Sequence, residues 1–403
     1  MADTLKSASR ILIIPSWYPP DGGYFFKEHS EAIHQKGWQV DLLVNRTVGV
    51  RKLVGEGMRS LKQRGIRDEN GLRVLRSVFL KLPGSEKMNI RRWARSTRKR
   101  YAAYALRYGP PDLILVHSVT WGGVAAYLIR KKYGIPYVIV EHRSFFVWST
   151  PEARKMVRPY YLPYFEKAYK NCSRLIPVSE SLMTGLRILM PWIGEKVEVI
   201  PNMIREEMFR PPSAPRTTTP FIFFWAGRLE HVKGIDLLLE AVSRLTSRSA
   251  SAVSVRLAGK GSLRSQLENQ AESLGIGERV TFLGRISREA LQQEMQGASC
   301  FILPTRYEAF GAVLIEAMAT GLPVIATRSG GPQYIVSDTS GILIDPENVD
   351  QLADAMARMI RDYSAFDPEQ IRKETIRQYG ENAVMEKYDR LFREIITTTT
   401  ERT

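Results

Sequence analysis

Short, almost unbroken apolar runs recur along the chain and alternate with longer stretches in which apolar residues return every three or four positions. The runs at 11–14, 113–116, 137–140, 221–226, 300–303 and 324–326 have no polar face, so they predict strands buried on both sides, as in parallel sheets, and 253–258 is expected to form another strand. Further strands are expected at 39–44, 72–75, 174–178, 197–200, 280–283 and 341–344. Between them, Phe26, His29 and Ile33 form a helical stripe that stops at Gly37. Ile235, Leu238, Leu239 and Val242 form a second after Gly234, and a third runs from Ala312 to a stop at Gly321. Other helices are expected to start near Trp121, Glu152, Ser181, Val349 and Pro368, with a last one over 383–396 and a disordered tail over 397–403. Strands alternating with helices predict an α/β architecture.

At 403 residues the chain outgrows a single core, so two domains are expected, with the Pro- and Thr-rich stretch 211–220 as linker. The longest apolar run falls far short of the ~20 residues a membrane-spanning helix needs. No secretory h-region is evident, and two cysteines in apolar surroundings suggest reduced thiols in a cytoplasmic protein. The formal net charge of +16 is unevenly placed. Residues 1–200 carry 34 Lys and Arg against 16 Asp and Glu, net +18, while the rest carry 24 against 26, net −2. That asymmetry predicts an anionic partner for the first half. Within it, the basic stretch 91–104, interleaved with Trp93, Tyr101 and Tyr104, reads as an amphipathic helix suited to an anionic membrane surface.

Two carboxylates supply the first candidate chemistry. Glu308 and Glu316 are eight positions apart, one just before an expected helix and one within it, so helical geometry predicts that both face one side and hold two ends of one ligand. Around Phe310, small residues at 309–312 leave backbone N–H groups and the positive helix end open to an anion such as a diphosphate. A second anion loop follows the run 221–226, where Arg228 and Lys233, five apart between Gly227 and Gly234, enter a helix as a diphosphate clamp. The first strand feeds a loop with Gly22 and Gly23, where backbone can approach a ligand closely. The strands at 113–116 and 137–140 end at His117 and His142, although a lone histidine in such a place is often only structural. The sequence has no Asp-x-Asp pair, no phosphate-binding Gly-x4-Gly-Lys loop and no Cys/His cluster with metal-ligand spacing. Charge on a diphosphate then falls to Arg228, Lys233 and helix N-termini, and no obligatory metal is expected.

The Glu308 to Glu316 signature, Gly227-Arg228-Leu229 with Lys233-Gly234, and the loop from Pro15 to Gly23 together resemble the retaining glycosyltransferases of family 4. The resemblance implies the GT-B fold, two Rossmann-like β/α/β domains facing across a cleft. An acceptor-side domain is implied over 1–202, a nucleotide-sugar domain over 203–375, and a terminal helix with its tail over 376–403 that crosses back to the first domain. It implies catalytic positions at His142, which approaches the donor sugar from the first domain, and at Glu308 beside that sugar. Donor-binding positions are implied at Gly22, Gly23, Arg228, Lys233, Phe310, Gly311 and Ala312, at Glu316 on the ribose, and at Arg285 and Ile286 near the base. Where the family usually carries an acidic residue this chain has Tyr334, so no role is carried over from that carboxylate.

The implied activity is transfer of a sugar, with retention, from a nucleotide-diphosphate sugar to a saccharide or lipid-linked acceptor, in cell-surface polysaccharide or glycolipid synthesis. The nucleotide sugar is a co-substrate, no cofactor or obligatory metal is implied, and the protein is expected in the cytoplasm, with peripheral contact at the cytoplasmic membrane face. Two other readings are weaker. A nucleotide-sugar epimerase of the same architecture needs acids and bases that no motif supplies. A basic nucleic-acid-binding protein lacks any module signature, so no nucleic acid is expected as partner.

Overall fold

Apolar runs without a polar face must lie between two layers of helices, and the chain satisfies this with two sheets. The computed structural model describes residues 9–20, 22–49, 64–147, 159–248 and 252–401. The first sheet comprises β1 (Arg10–Pro15), β2 (Gln39–Gly49), β3 (Gly65–Glu69), β4 (Leu72–Lys81), β5 (Leu113–His117), β6 (Tyr137–Glu141) and β7 (Arg174–Pro177), in the order β3-β4-β2-β1-β5-β6-β7. The second comprises β8 (Phe221–Arg228), β9 (Val253–Lys260), β10 (Val280–Gly284), β11 (Cys300–Leu303), β12 (Val324–Thr327) and β13 (Gly341–Ile344), in the order β10-β9-β8-β11-β12-β13. Among the described strands only β3 and β4 pair antiparallel.

In each sheet the strand order reverses beside the central strand, between β1 and β5 in one and between β8 and β11 in the other. Helices leave the sheet on opposite faces at such a point and open a crevice at the strand carboxyl ends, where α/β proteins bind ligands. The carboxyl ends of β1, β5, β8 and β11, with the loops that follow them, carry the glycine pair, His117, the stretch from Arg228 to Lys233 and Glu308.

Several expectations are corrected. The segment 197–200 is not a strand: Val197 makes one isolated bridge to Leu175, and Ile200 is buried by packing, without further pairing, before Pro201 turns the chain away. β2 and β4 are longer than expected, and β3 was unforeseen. It is joined to β4 by Asn70-Gly71, both at positive φ, as a two-residue hairpin turn requires. The last helix, Glu381–Thr400, takes up most of the segment expected to be disordered. It packs on the first domain, where the Tyr388 ring meets His29 at 4.6 Å and Trp38 donates its indole N–H to Asp389 at 2.9 Å. The helix expected from Glu152 begins outside the described residues, as do Lys52, Arg59 and Lys62 of the basic first half.

The basic stretch forms the helix Glu86–Tyr108, but its aromatic residues do not face outward. Trp93, Tyr101 and Tyr104 are each about 1% exposed; Trp93 donates to the Asn45 carbonyl and Tyr104 to Asp41, both at 2.8 Å. The apolar face of this helix is therefore core. What it shows outward is a row of exposed cations at every fourth position, Lys87, Arg91, Arg95 and Lys99.

Candidate active site

On the first sheet the site grows from register. Pro15 of β1 lies opposite His117 of β5, and His117 opposite Val140 of β6, so the loops after three adjacent strands meet at one edge. Ser118, next in the chain, is held at φ 73°, a conformation that costs a non-glycine residue energy and clusters at functional sites. The Ser118 hydroxyl accepts from Arg143 Nε at 3.1 Å. Glu141, fully buried at the end of β6, accepts from the backbone N–H groups of Val119, His142 and Arg143 and from the Tyr169 hydroxyl, and so fixes the loop that presents His142.

Three histidines then form a chain into the cleft. His117 Nδ1 lies 3.1 Å from His142 Nε2, and His29 Nδ1, on the helix Tyr24–Gln35, lies 3.5 Å from His117 Nε2. Burial holds all three far below the usual imidazole range, His29 and His142 at about 3, with a neighbouring histidine adding to the effect on His117 and His142. All three are neutral at physiological pH, so each carries one N–H. His29 Nε2 is buried without a partner. A bare donor there costs more than a bare lone pair, which assigns the His29 proton to Nδ1. His29 Nδ1–H then donates to His117 Nε2, His117 Nδ1–H donates to His142 Nε2, and His142 is left with its own N–H at Nδ1. His142 is a neutral donor, not an imidazolium acid.

On the second sheet, Gly234 at φ 65° ends the turn after Lys233, and a Cβ there would lie 2.0 Å from the Pro304 carbonyl oxygen, which explains the glycine. Lys233 Nζ reaches Glu308 Oε2 at 2.6 Å, and Glu308 Oε1 accepts from the Ala309 N–H at 3.0 Å. Arg228 is largely exposed and pairs with Glu230 at 2.9 Å. The loop enters the helix Ala312–Ala319 through Gly311 at φ 97°. Among the described residues, the amides of Phe310, Gly311 and Ala312 have no protein acceptor. They are the donors an anion at this helix end can use.

The two glutamates are not related by helical rotation as expected. Glu308 sits in a loop, bridged to Gly330, four residues before the helix begins, so its direction is set by Lys233. Glu316, with its side chain 15% exposed, is pushed up to about 7 by loss of hydration, opposed by Arg288 at 3.3 Å and reinforced by Glu28. Arg288 also reaches Glu28, across the cleft on the helix Tyr24–Gln35, at 3.4 Å. Sequence reasoning missed Arg288 and Glu28: Arg288 sits in the first position of the helix Arg288–Gly297, with only the Ser287 cap as local signal. Arg285 is exposed and Ile286 half-buried against the core, so that loop reaches Glu316 through Arg288. Gly23, φ 74°, begins the helix Tyr24–Gln35, and a Cβ there would lie 2.6 Å from the Trp17 carbonyl oxygen; Gly22 is in open space. Tyr334 is 48% exposed and lends only its carbonyl, to Tyr379.

The two halves touch at the site itself. The Ser179 hydroxyl, on the first domain, donates to the Ala309 carbonyl at 2.6 Å. A Cβ on Gly330 would lie 2.8 Å from the Val147 side chain and 3.1 Å from the Ser181 hydroxyl. Among the described residues no group of three or more His, Cys, Asp or Glu could hold a metal ion, and no helix is long and apolar enough to cross a membrane.

Comparison with known proteins gives two family matches in tandem. Residues 23–207 match the family described as Glycosyltransferase Family 4, and residues 206–383 match Glycosyl transferases group 1. The chain is 30% identical over 239 residues to an uncharacterised glycosyltransferase of Methanocaldococcus jannaschii, 52% of this chain and 60% of that one, so it spans less than two thirds of that relative. It is 26% identical over 366 residues to a D-inositol 3-phosphate glycosyltransferase of Corynebacterium urealyticum, 84% of this chain and 82% of the relative. Among solved structures, a sucrose-phosphate synthase from Thermosynechococcus elongatus superposes with a TM-score of 0.80 at 21% identity, over 97% of this chain and 100% of that one. Anabaena HepE in complex with UDP and glucose superposes at 0.72 and 18% identity, over 96% and 100%. At such identities the superpositions establish the fold, which is that of GT-B glycosyltransferases.

Proposed function

We propose, for a chain that belongs to the family 4 glycosyltransferases, that it moves a sugar from a nucleotide-diphosphate donor to a saccharide or lipid-linked acceptor with retention at the anomeric carbon. The observation that carries this reading is the loop from Glu308 to Ala312: three amides without acceptors and a lysine converge there at a strand-order switch, docked on the first domain through Ser179. Solved relatives bound to UDP, or to UDP and glucose, support a nucleotide sugar as donor. As the bond from the anomeric carbon to the diphosphate breaks, the sugar becomes oxocarbenium-like and negative charge gathers on the leaving phosphate. Lys233 and the amides of 310–312 stabilise that charge, Glu308 and the His142 Nδ1–H hold sugar hydroxyls, and Glu316 takes the ribose. The acceptor oxygen forms its new bond on the face the diphosphate leaves, and its proton passes to a phosphate oxygen. No covalent enzyme intermediate is needed.

A thermal-shift panel of nucleoside diphosphates and their sugars tests the donor, since a ligand that binds only the folded state raises the melting temperature. One nucleotide and its sugar are expected to raise it, and transfer by that sugar is expected to persist in excess EDTA. No response to any nucleotide, or an absolute need for Mg²⁺ or Mn²⁺, contradicts the reading. The histidine chain predicts in addition that His117→Phe lowers kcat/KM for the donor sugar by about tenfold, the worth of one buried hydrogen bond, with nucleotide affinity unchanged. Equal loss of both, or of neither, removes His117 as a positioning residue.

The exposed row Lys87, Arg91, Arg95 and Lys99 supports docking of the first domain on an anionic membrane by charge alone, at about 1 kcal/mol for each cation near the surface. Sedimentation with anionic vesicles is expected at low salt and lost at high salt; equal binding to neutral vesicles, or none to either, leaves a soluble acceptor as the better reading.

A further inference from the structure

Beside the histidine chain, at the carboxyl ends of β1, β2 and β4, lies a recess of about 240 Å³. Two indoles, Trp17 and Trp121, form its apolar wall, and Thr47, Arg46, Lys81 and Glu86 are among its polar lining. It is one ring removed from His142: Phe26 stacks on Trp17 with centroids 6.0 Å apart and lies 5.1 Å from the His142 ring. The loop after β1 is tied to the same place, because the Ser16 hydroxyl donates to the His117 carbonyl at 2.5 Å. Lys233 and the amides of 310–312, assigned above to the diphosphate, belong to the second domain, whereas every residue lining this recess belongs to the first.

Its charges are the unusual part. Arg76, a third cation in the wall, is spoken for: it pairs with Glu69 at 2.6 Å and donates to the Pro19 carbonyl at 2.8 Å. Lys81 is not. Among the described residues it has no carboxylate within 4.0 Å and no hydrogen-bond acceptor, although it is half-buried at the end of β4. Glu86, the one carboxylate in the lining, accepts from the Tyr160 hydroxyl at 3.3 Å and also interacts with Tyr161, but among the described residues no cation lies within 4.0 Å of it. A half-buried ammonium without a counter-ion forgoes the interaction that offsets its lost hydration, and a charged ligand can restore it.

We propose that this recess holds the acceptor and that the acceptor is an anionic sugar or polyol, its phosphate or carboxylate taken by Lys81 and one of its hydroxyls donating to Glu86. The proposal rests on the transferase reading above and narrows its acceptor class. A neutral ring in the same place leaves Lys81 unpaired, so the anion is a basis for selection as well as for affinity.

The test is calorimetry with the nucleotide of the thermal panel at saturation, titrating glucose, glucose 6-phosphate and glucuronate. The two anionic compounds are expected to bind about tenfold or more tightly than glucose, the scale of one charge-assisted contact. The Lys81→Gln variant is expected to lose that advantage and Lys81→Arg to keep it. Equal affinity for all three sugars overturns the proposal, as do an advantage that survives in Lys81→Gln and the absence of Lys81-dependent binding of every anionic probe. Inositol 1-phosphate and phosphatidylinositol vesicles, run in parallel against neutral phosphatidylcholine vesicles, tell a free anion from a lipid headgroup, and Lys81-dependent binding of either form supports the recess. Nucleotide affinity, read first in each titration, separates the two claims: intact nucleotide binding without anion preference removes only the recess, whereas no nucleotide binding by the wild type removes the transferase reading.

Discussion

Lys233→Ala is expected to lower kcat by roughly 10²–10³, the loss typical of removing one preorganised stabiliser of transition-state charge. In the free protein Lys233 is held by Glu308 at 2.6 Å, on a loop whose glycine admits no side chain. The ammonium is thus in position before the donor arrives and needs little reorganisation as charge moves onto the leaving diphosphate. The pair is only partly buried, with side-chain exposures of 21% and 16%, so its contribution to stability is small beside its contribution to turnover. The melting temperature of the variant should therefore stay near that of the wild type. Arg228→Ala should cost far less, because Arg228 is 74% exposed and already committed to Glu230. Steady-state kinetics of Lys233→Ala within about threefold of wild type, less than 1 kcal/mol in barrier, would take Lys233 out of the reaction centre.

What could be read from the sequence were features whose cause is local. Buried parallel strands declare themselves as unbroken apolar runs, and glycines that must approach another backbone, such as Gly234, or hold a positive φ, such as Gly311, mark the loops at the switch points. The hairpin of β3 and β4 was also legible, in Asn70-Gly71 between two extended segments, but the dense charge of Arg67, Asp68 and Glu69 masks the alternation around it. Tertiary contacts decided the rest. Trp93, Tyr101 and Tyr104 are interleaved with arginines in the sequence, and only the sheet beneath them shows which face of the helix is core. His117 alone carries no signal that distinguishes a relay from a packing residue, since its partners stand 88 and 25 positions away. Arg288 was invisible for the same reason: it acts between Glu28 and Glu316, which no sequence window holds together.

That bridge bears on the second large effect, a division of labour between the two glutamates. Glu316→Ala is expected to weaken binding of the bare nucleoside diphosphate by about tenfold or more, the worth of a hydrogen bond to a charged group, and to raise the donor KM with it. Glu308→Ala is expected to lower kcat while the bare nucleotide binds much as before, because its carboxylate is held by Lys233 and has no part in the Arg288 bridge at Glu316. The pH dependence gives an independent check. Burial pushes Glu316 up to about 7, so below that pH it is mostly a neutral acid and above it a carboxylate. Ribose hydroxyls donate more strongly to the carboxylate, so nucleotide affinity should fall as pH drops from 8 to 6. The diphosphate itself gains a proton near pH ~6, but wild type and Glu316→Gln share that contribution, and the difference between their profiles isolates the glutamate. The stability sign runs the other way. A carboxyl raised in the folded state binds more protons there than in the unfolded chain, so its contribution is present at low pH and lost as pH rises through about 7. Glu316→Gln should therefore bind nucleotide less well at pH 8 and yet melt no lower there than wild type. Calorimetry that finds the same loss of nucleotide affinity in Glu308→Ala and Glu316→Ala, or parallel pH profiles for wild type and Glu316→Gln, removes the assignment of Glu316 to the nucleotide.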